Sequence, residues 1–167
     1  QSVYVDWGTT CYHFARSIPS ELNLTVFTNN LRVVTALSSR TECRVVVYGG
    51  ELLRETPYLG GEIAMARMQD FLLDVAVFGA TAIDAARGQL HADSVHAPVV
   101  YKLLESNSTQ QFILADSSKL TRRGSAILTT LRAGVTLITD AGIGERDLAL
   151  LQQTGARVIV AKIQKSS

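Results

Sequence analysis

Short apolar segments rich in β-branched residues alternate with helical segments along this chain, and this alternation limits the folds open to it more than any other feature. Most of the apolar segments are continuous, which predicts strands buried on both faces. Strands separated by helices predict an α/β fold in three layers, with a mostly parallel sheet flanked by helices. The predicted strands span residues 3–5, 24–28, 44–48, 75–78, 112–115, 135–139 and 157–160.

Helical patterns occupy most of the segments between these strands. Pro98 falls in the first turn of one predicted helix, and Gly155 follows the last one as its C-terminal cap. The predicted helices span residues 12–18, 31–38, 61–69, 95–106 and 145–153. Residues 51–61 are bounded by glycine and predict a hairpin or a loop, whereas residues 80–93 are rich in small side chains and predict an exposed loop.

Length and composition predict one globular domain, residues 1–167, with 47% hydrophobic and 19% charged residues. A net charge of +1 argues against a large nucleic-acid-binding surface in this chain. No apolar run approaches the roughly 20 residues that span a bilayer, and the two cysteines form no disulfide framework, so we expect a cytoplasmic protein. The start at Gln1, without Met, suggests one domain of a longer protein.

The first strand runs into the turn Asp6-Trp7-Gly8-Thr9-Thr10, and a helix follows. Free backbone N–H groups, the helix dipole and two hydroxyls at such a helix start favour a bound phosphate. The alternative interpretation is that the same residues only cap the helix.

Polar residues or glycines follow six of the predicted strands. Because the carboxyl ends of parallel strands share one edge of a sheet, we expect these groups to line one pocket. Hydroxyls, amides, carboxylates and an ammonium group suit a polyhydroxylated anion such as a sugar phosphate, although the same residue types also form turns and helix caps. The segments are residues 6–10, 28–30, 49–51, 79–81, 116–119 and 139–142.

Other patterns give weaker indications. Cys11 lies near the dipole of the first helix, which lowers a thiol pKa, but packing is the favoured interpretation. His91 and His96 are five residues apart, a spacing that does not put both on one helical face for a metal. Arg122 and Arg123 form a small basic cluster that either helps to hold a phosphate or lies in a solvated loop. We predict no catalytic residue, no metal ligand and no cofactor.

Six short motifs in order resemble the C-terminal sensor domain of DeoR-type transcriptional regulators over essentially the whole chain. They are Asp6-x-Gly8-Thr9-Thr10, Thr28-Asn29-Asn30-Leu31, Gly49-Gly50-Glu51-Leu52, Phe78-Gly79-Ala80, Ala115-Asp116-Ser117-Ser118-Lys119 and Thr139-Asp140. The resemblance implies the fold of ribose-5-phosphate isomerase and the CoA-transferase group. It also implies an effector-binding domain that forms a homo-oligomer, binds a phosphorylated sugar, and follows an N-terminal winged helix-turn-helix domain that contacts operator DNA and most often represses transcription.

These observations give a specific hypothesis for the site. Phosphate binding is assigned to Gly8, Thr9, Thr10 and Lys119, with Lys119 as a point positive charge. Recognition of the sugar is assigned to Asp6, Thr28, Asn29, Gly49, Gly50, Gly79, Thr81 and Asp116.

Departures from the family pattern bear on catalysis. The family and the related isomerases carry an aspartate at the position of Thr81, and threonine cannot act as a general base at neutral pH. Ala97 replaces the family's acidic residue, and Tyr101 stands where a lysine is common. Binding without turnover is therefore favoured over a sugar-phosphate isomerase, and an adenine-nucleotide-binding module is the further alternative.

Overall fold

The computed structural model describes residues 1–54 and 56–162, so residues 163–167 of the predicted domain lie outside the described residues. It contains five α-helices: α1 (Thr9–Ser17), α2 (Leu31–Leu37), α3 (Gly61–Met68), α4 (Ala97–Ser106) and α5 (Glu145–Gln153), with a 3₁₀ helix at Ser117–Thr121. Its strands are β1 (Ser2–Val5), β2 (Thr25–Thr28), β3 (Arg44–Val47), β4 (Glu51–Leu52), β5 (Leu59–Gly60), β6 (Leu73–Gly79), β7 (Ala82–Asp84), β8 (Gln89–Ala92), β9 (Ser108–Leu114), β10 (Ala126–Thr130), β11 (Val135–Asp140) and β12 (Arg157–Ala161).

A seven-stranded, mostly parallel sheet in the order β12-β11-β9-β6-β1-β2-β3 confirms the predicted α/β class. All the predicted strands and helices are present in the described residues, with bounds that differ by a few residues. The largest differences are at β9, which begins at Ser108 and not at residue 112, and at α1, which begins at Thr9 and not at residue 12. The described chain divides into two compact units.

The first unit comprises Gln1–Gly79 and Lys102–Gln111. In it β6, β1, β2 and β3 are consecutive parallel neighbours, so the turns after these strands lie at one edge. Tyr4 and Val5 of β1 are fully buried, as a central strand with a continuous apolar segment requires. The expectation of burial on both faces fails at β3, where Arg44 and Val47 are exposed because this strand lies at the end of the sheet.

The second unit comprises Ala80–Tyr101 and the chain from Phe112 onward. In it β11 pairs in parallel with β12, and β10, β8 and β7 form a separate antiparallel sheet. The predicted exposed loop at residues 80–93 is wrong: it contains β7 and β8, and Ile83 and Leu90 are almost completely buried. The few large apolar residues of this segment alternate with small or polar ones, and pairing of the two strands puts them on one buried face.

The glycine-bounded segment 51–61 contains a hairpin in which β4 pairs with β5, which confirms one of the two predicted forms. Gly155 adopts a φ of 81° and donates its N–H to the carbonyl of Gln152, which confirms its predicted position after α5. No helix within the described ranges is long and apolar enough to span a bilayer.

Candidate functional site

At the start of α1, several donor groups have no partner among the residues that the structure describes. Gly8 stands at the N-cap with a φ of 98°, which favours glycine, and no side chain caps the helix. The helical hydrogen bonds begin with Tyr12, whose N–H donates to the Gly8 carbonyl at 3.1 Å. The first-turn N–H groups therefore have no partner within the helix. Among the described residues, the hydroxyls of Thr9 and Thr10 have no hydrogen-bond partner either.

Asp6 lies directly before this turn and is almost completely buried. The hydroxyl of Tyr4 donates to its carboxylate at 2.8 Å, and that hydroxyl lies 3.0 Å from the hydroxyl of Tyr58. Burial raises the pKa of Asp6 to about 6, although hydrogen bonds from the Trp7 and Gly79 amides and from Tyr4 oppose the change. The carboxylate thus joins the turn after β1 to the end of β6.

Side-chain hydrogen bonds also join the turns after β1 and β2. The Thr28 hydroxyl donates to the Val5 carbonyl at 2.7 Å and accepts from the Asn30 amide at 3.0 Å. The Asn30 side chain donates to the carbonyl of Asp6 at 3.4 Å and accepts from the Arg32 amide, so it also caps α2. Thr28 and Asn30 are buried, and these bonds satisfy their polar atoms.

Asn29 joins the turn after β2 to the turn after β3. Its side-chain amide donates to the carbonyls of Gly49 at 3.0 Å and Leu59 at 2.7 Å, and its oxygen accepts from the Gly49 N–H at 3.2 Å. Gly50 has a φ of 116°, and a Cβ there would lie 2.3 Å from the Gly60 carbonyl oxygen. At Gly79 an added Cβ would make only ordinary contacts, so close approach does not require glycine there.

The structure brings together the predicted site residues of the first unit. Their turns follow adjacent parallel strands and are joined by the hydrogen bonds described above. The uncapped start of α1 belongs to the same group of turns. These residues are Asp6, Gly8, Thr9, Thr10, Thr28, Asn29, Gly49, Gly50 and Gly79.

The remaining predicted residues belong to the second unit. Asp116 caps the 3₁₀ helix by accepting from the Ser118 amide at 3.0 Å and from the Ser118 hydroxyl. Lys119 lies in that helix and has no carboxylate within ion-pair distance among the described residues. The Thr81 amide donates to the His91 carbonyl at 2.8 Å. Their contribution to a ligand site stays a prediction.

Three further residues hold these turns: Asp140 lies in the segment 139–142 that was expected to line the pocket, whereas Tyr4 and Tyr58 were missed in the sequence. Asp140 accepts from the Ser117 amide and hydroxyl and from the Gly142 amide, at 2.7, 2.9 and 2.8 Å, and these bonds lower its pKa. Tyr4 lies two residues before Asp6 in an extended segment, a spacing that puts both side chains on one face and was open to detection. Tyr58 comes from the hairpin and gave no signal in the sequence.

Cys11 is fully buried, and burial raises its pKa well above the ordinary thiol value, which agrees with packing and not with a reactive thiolate. Within the described residues no group of three or more His, Cys, Asp or Glu side chains is arranged to hold a metal ion.

Comparison with known families gives one match that covers most of the chain. Residues 1–141 match the model of the DeoR C terminal sensor domain. The HTH-type transcriptional regulator YulB of Bacillus subtilis (strain 168) is 24% identical over 163 residues, which cover 98% of this chain and 62% of that protein.

Two further relatives come from Escherichia coli (strain K12). The glycerol-3-phosphate regulon repressor is 27% identical over 84% of this chain and 55% of its own length. The L-fucose operon activator is 25% identical over 83% of this chain and 56% of its own length. This chain thus spans little more than half the length of the curated relatives it matches. All three are named as regulators of transcription, in agreement with the prediction that the chain is not an enzyme.

A solved structure, ribose 5-phosphate isomerase A from Methanocaldococcus jannaschii, is similar with a TM-score of 0.48 and 16% identity, over 71% of this chain and 46% of that chain.

Proposed function

Since this chain belongs to the DeoR C-terminal sensor domain family, we propose that it is the effector-binding domain of a transcriptional regulator and that its effector is a phosphorylated sugar. The observation that carries the proposal is the start of α1, with a glycine at the N-cap, no side-chain cap, and two threonine hydroxyls that have no partner in the described part of the chain.

We assign the phosphate of the effector to the start of α1. The N–H groups of the first turn and the positive end of the helix dipole both attract an anion. Gly8 has no side chain and is exposed, so a phosphate oxygen can approach its backbone. The hydroxyls of Thr9 and Thr10 supply two more donors without breaking any bond within the described residues.

The sugar is placed over the neighbouring turns of the first unit. The side chains of Asp6, Thr28 and Asn29 already bond to other turns, so we assign them to holding the rim of the site. Of the three glycines assigned to the sugar, Gly49 uses its N–H and carbonyl to bond Asn29, and Gly79 donates its amide to Asp6. The backbone of Gly50 is therefore the part of this set that we assign to direct contact with the ligand. For Thr81, Asp116 and Lys119 the sequence hypothesis is kept: Lys119 balances the phosphate charge, and the other two bind hydroxyls.

The role of the whole protein follows from the family as a proposal. The full-length regulator is proposed to carry an N-terminal winged helix-turn-helix domain that binds operator DNA, to act in the cytoplasm, most often as a repressor, and to form a homo-oligomer. The relatives support this assignment, since they are named as regulators and are longer than this chain.

Calorimetric titration with a panel of phosphorylated sugars and glycerol 3-phosphate tests the proposal. Thr9→Val keeps the shape of the side chain and removes one hydroxyl, and Lys119→Ala removes the predicted charge. Each variant should weaken binding roughly tenfold, because a hydrogen bond to a charged group contributes about 1.5 kcal/mol or more. Thr130→Val is the matched control, since Thr130 is exposed on β10 and outside the site.

Unchanged affinity in both Thr9→Val and Lys119→Ala would reject the site. A coupled assay that detects conversion of the sugar phosphate by the isolated chain would reject a purely sensory role. Tighter binding of an adenine nucleotide than of every sugar phosphate would reject the ligand class.

A further inference from the structure

The second unit contains a cavity of about 510 Å³ that none of the predicted effector residues lines. Its walls come from the turn that joins β7 to β8, from His91 of β8, from the loop after the 3₁₀ helix and from the first turns of α5. Four arginines lie on these walls: Arg87, Arg122, Arg123 and Arg146. We call this cavity the arginine pocket.

Close backbone contact fixes one wall of the arginine pocket. A Cβ added at Gly124 would lie 2.6 Å from the Cβ of His91 and 3.0 Å from the Ala92 carbonyl oxygen. Only glycine lets the loop lie this close to β8. The contact holds Arg122 and Arg123, which directly precede Gly124, beside His91.

The charges of the arginine pocket do not cancel. Arg87 pairs with Asp84 at 2.9 Å, and Asp147 is the second carboxylate on the walls. Arg122, Arg123 and Arg146 have no carboxylate within ion-pair distance among the described residues. Four arginines and two aspartates leave an excess of two positive charges here, whereas the whole chain carries only +1. An anion in this cavity would be attracted from several sides.

His91 provides an independent indication of a ligand. Both its ring nitrogens are buried, and neither has a hydrogen-bond partner among the described residues. Buried ring nitrogens without hydrogen bonds cost free energy because they lose contact with water, and Asp84 contributes only an electrostatic interaction. His91 lines the cavity, and rotation of its ring toward the cavity would bring a nitrogen to a ligand oxygen and supply the missing partner.

We propose that the arginine pocket binds the phosphoryl group of a small organic phosphate, as a second ligand site separate in its residues from the one proposed above. The planar guanidinium groups match phosphate oxygens with paired hydrogen bonds. His91 bonds to the phosphoryl group or to a hydroxyl of the same molecule. A volume of about 510 Å³ exceeds that of a bare phosphate, so the ligand carries an organic part.

Imidazole NMR spectra of the 167-residue chain, titrated with pyrophosphate, give the direct test. The chain has three histidines, and His13 and His96 are exposed and do not line the pocket. The resonances of His91 should shift and saturate, while those of the other two stay in place. Absence of a saturable His91 shift up to about 10 mM pyrophosphate would overturn the proposal.

Arginine variants then locate the binding. Arg123→Gln and Arg146→Gln should each weaken pyrophosphate binding roughly tenfold or more, because each removes charge-assisted hydrogen bonds. Arg157→Gln removes the same charge from an exposed position on β12 outside the pocket, and should change affinity less than about twofold. Equal weakening in all three variants would indicate non-specific attraction and overturn the proposal.

A His91→Leu variant separates a ligand role from a structural one. Removal of two unpartnered buried nitrogens should raise the midpoint of thermal unfolding, and loss of a ligand contact should weaken pyrophosphate binding severalfold. Higher thermal stability with unchanged affinity for pyrophosphate would contradict the role of His91 as a ligand contact. Lower thermal stability would show that the ring nitrogens of His91 have partners in the folded chain, and would contradict the observation on which that role rests.

Three further titrations identify the source of the phosphoryl group. Saturable binding of AMP or of ribose 5-phosphate that is weakened by Arg146→Gln supports the proposal and distinguishes a nucleotide from a sugar phosphate. A short DNA duplex that shifts His91 at lower concentration than these compounds would overturn it. Thr9→Val should leave all these shifts unchanged, so failure at the start of α1 and failure at the arginine pocket are distinguishable.

Discussion

Two aspartates at the ends of strands have pKa values shifted in opposite directions in this molecule. Asp6 directly follows β1, Asp140 is the last residue of β11, and each carboxylate accepts hydrogen bonds from backbone amides. Burial raises the pKa of Asp6 to about 6, whereas backbone amides lower the pKa of the more exposed Asp140. The same residue in the same kind of position is thus either a buried acid or a stabilised carboxylate, and desolvation decides which.

The surroundings of the two aspartates differ in the same sense. Near Asp6 the polar side chains are buried, and their bonds join turns that are far apart in the sequence, as Asn29 does with Gly49 and Leu59. Asp140 also bonds to a residue distant in the sequence, Ser117, but these bonds are only part-buried and the bond from Gly142 is exposed. We therefore expect polar side chains to contribute more to stability in the first region than in the second.

The largest effect is expected from Asn29→Ala. The change would leave two carbonyls and one N–H of these part-buried turns without their side-chain partner, at a cost of about 3 kcal/mol in the free energy of unfolding. Urea denaturation measures this difference. Asn23→Ala is the matched control, because Asn23 is exposed and has no side-chain partner in the described chain, and should cost less than about 0.5 kcal/mol. If the two variants lost the same free energy of unfolding, the expected difference between buried and exposed polar side chains would be wrong.

A second effect is pH dependence that originates at Asp6. In the folded chain its pKa is about 6, against 3.8 for the ordinary group, so the folded state holds the proton to higher pH than the unfolded state. The contribution of Asp6 to the free energy of unfolding is fully present below about pH 4. It decreases by up to about 3 kcal/mol as the pH rises to about 6. Unfolding free energies measured from pH 4 to 7 check the sign and the size.

Asp6→Asn isolates this contribution. Only the difference between the pH profiles of the variant and the natural chain is informative, so the absolute stability of the variant is not compared. The variant should lack the decrease between pH 4 and 6 that the natural chain has. Parallel profiles would mean that Asp6 is not desolvated as described.

The smallest effect is expected at Asp140. Its lowered folded pKa gives stability that is present above the ordinary carboxyl range and is lost as the pH falls through the folded pKa, opposite in sign to Asp6. Asp140→Asn should cost about 1 kcal/mol at neutral pH, because water reaches this turn and partly replaces the lost bonds. The same denaturation series, extended to pH 2, detects it. A larger cost than that of Asn29→Ala would reverse the comparison.

The central strands were predictable because their apolar segments are continuous and need no partner to be recognised. The segment at residues 80–93 was not, because its few large apolar residues, among them Ile83 and Leu90, form a buried face only when β7 and β8 pair. β10 was missed for a related reason: Ile127 is exposed and Leu128 alone is buried in its middle.

For the candidate site, the residue types after each strand indicated that the turns after β1, β2, β3 and β6 lie together, since parallel strands bring their carboxyl ends to one edge. The pattern did not indicate which polar atoms are already bonded. Thr28 and Asn29 have the residue types of ligand contacts, yet their side chains bond to neighbouring turns. Such bonds depend on distances between segments about 20 to 30 residues apart, which no local pattern encodes.

By itself, the sequence determined the α/β class and the polar turns that follow the central parallel strands, because periodicity and turn chemistry are local properties. The tertiary structure alone decided the pKa of Asp6, the contact between Gly124 and His91, and the gathering of four arginines around one cavity. These depend on burial and on close approach between distant segments, and desolvation is set by the neighbours that folding provides.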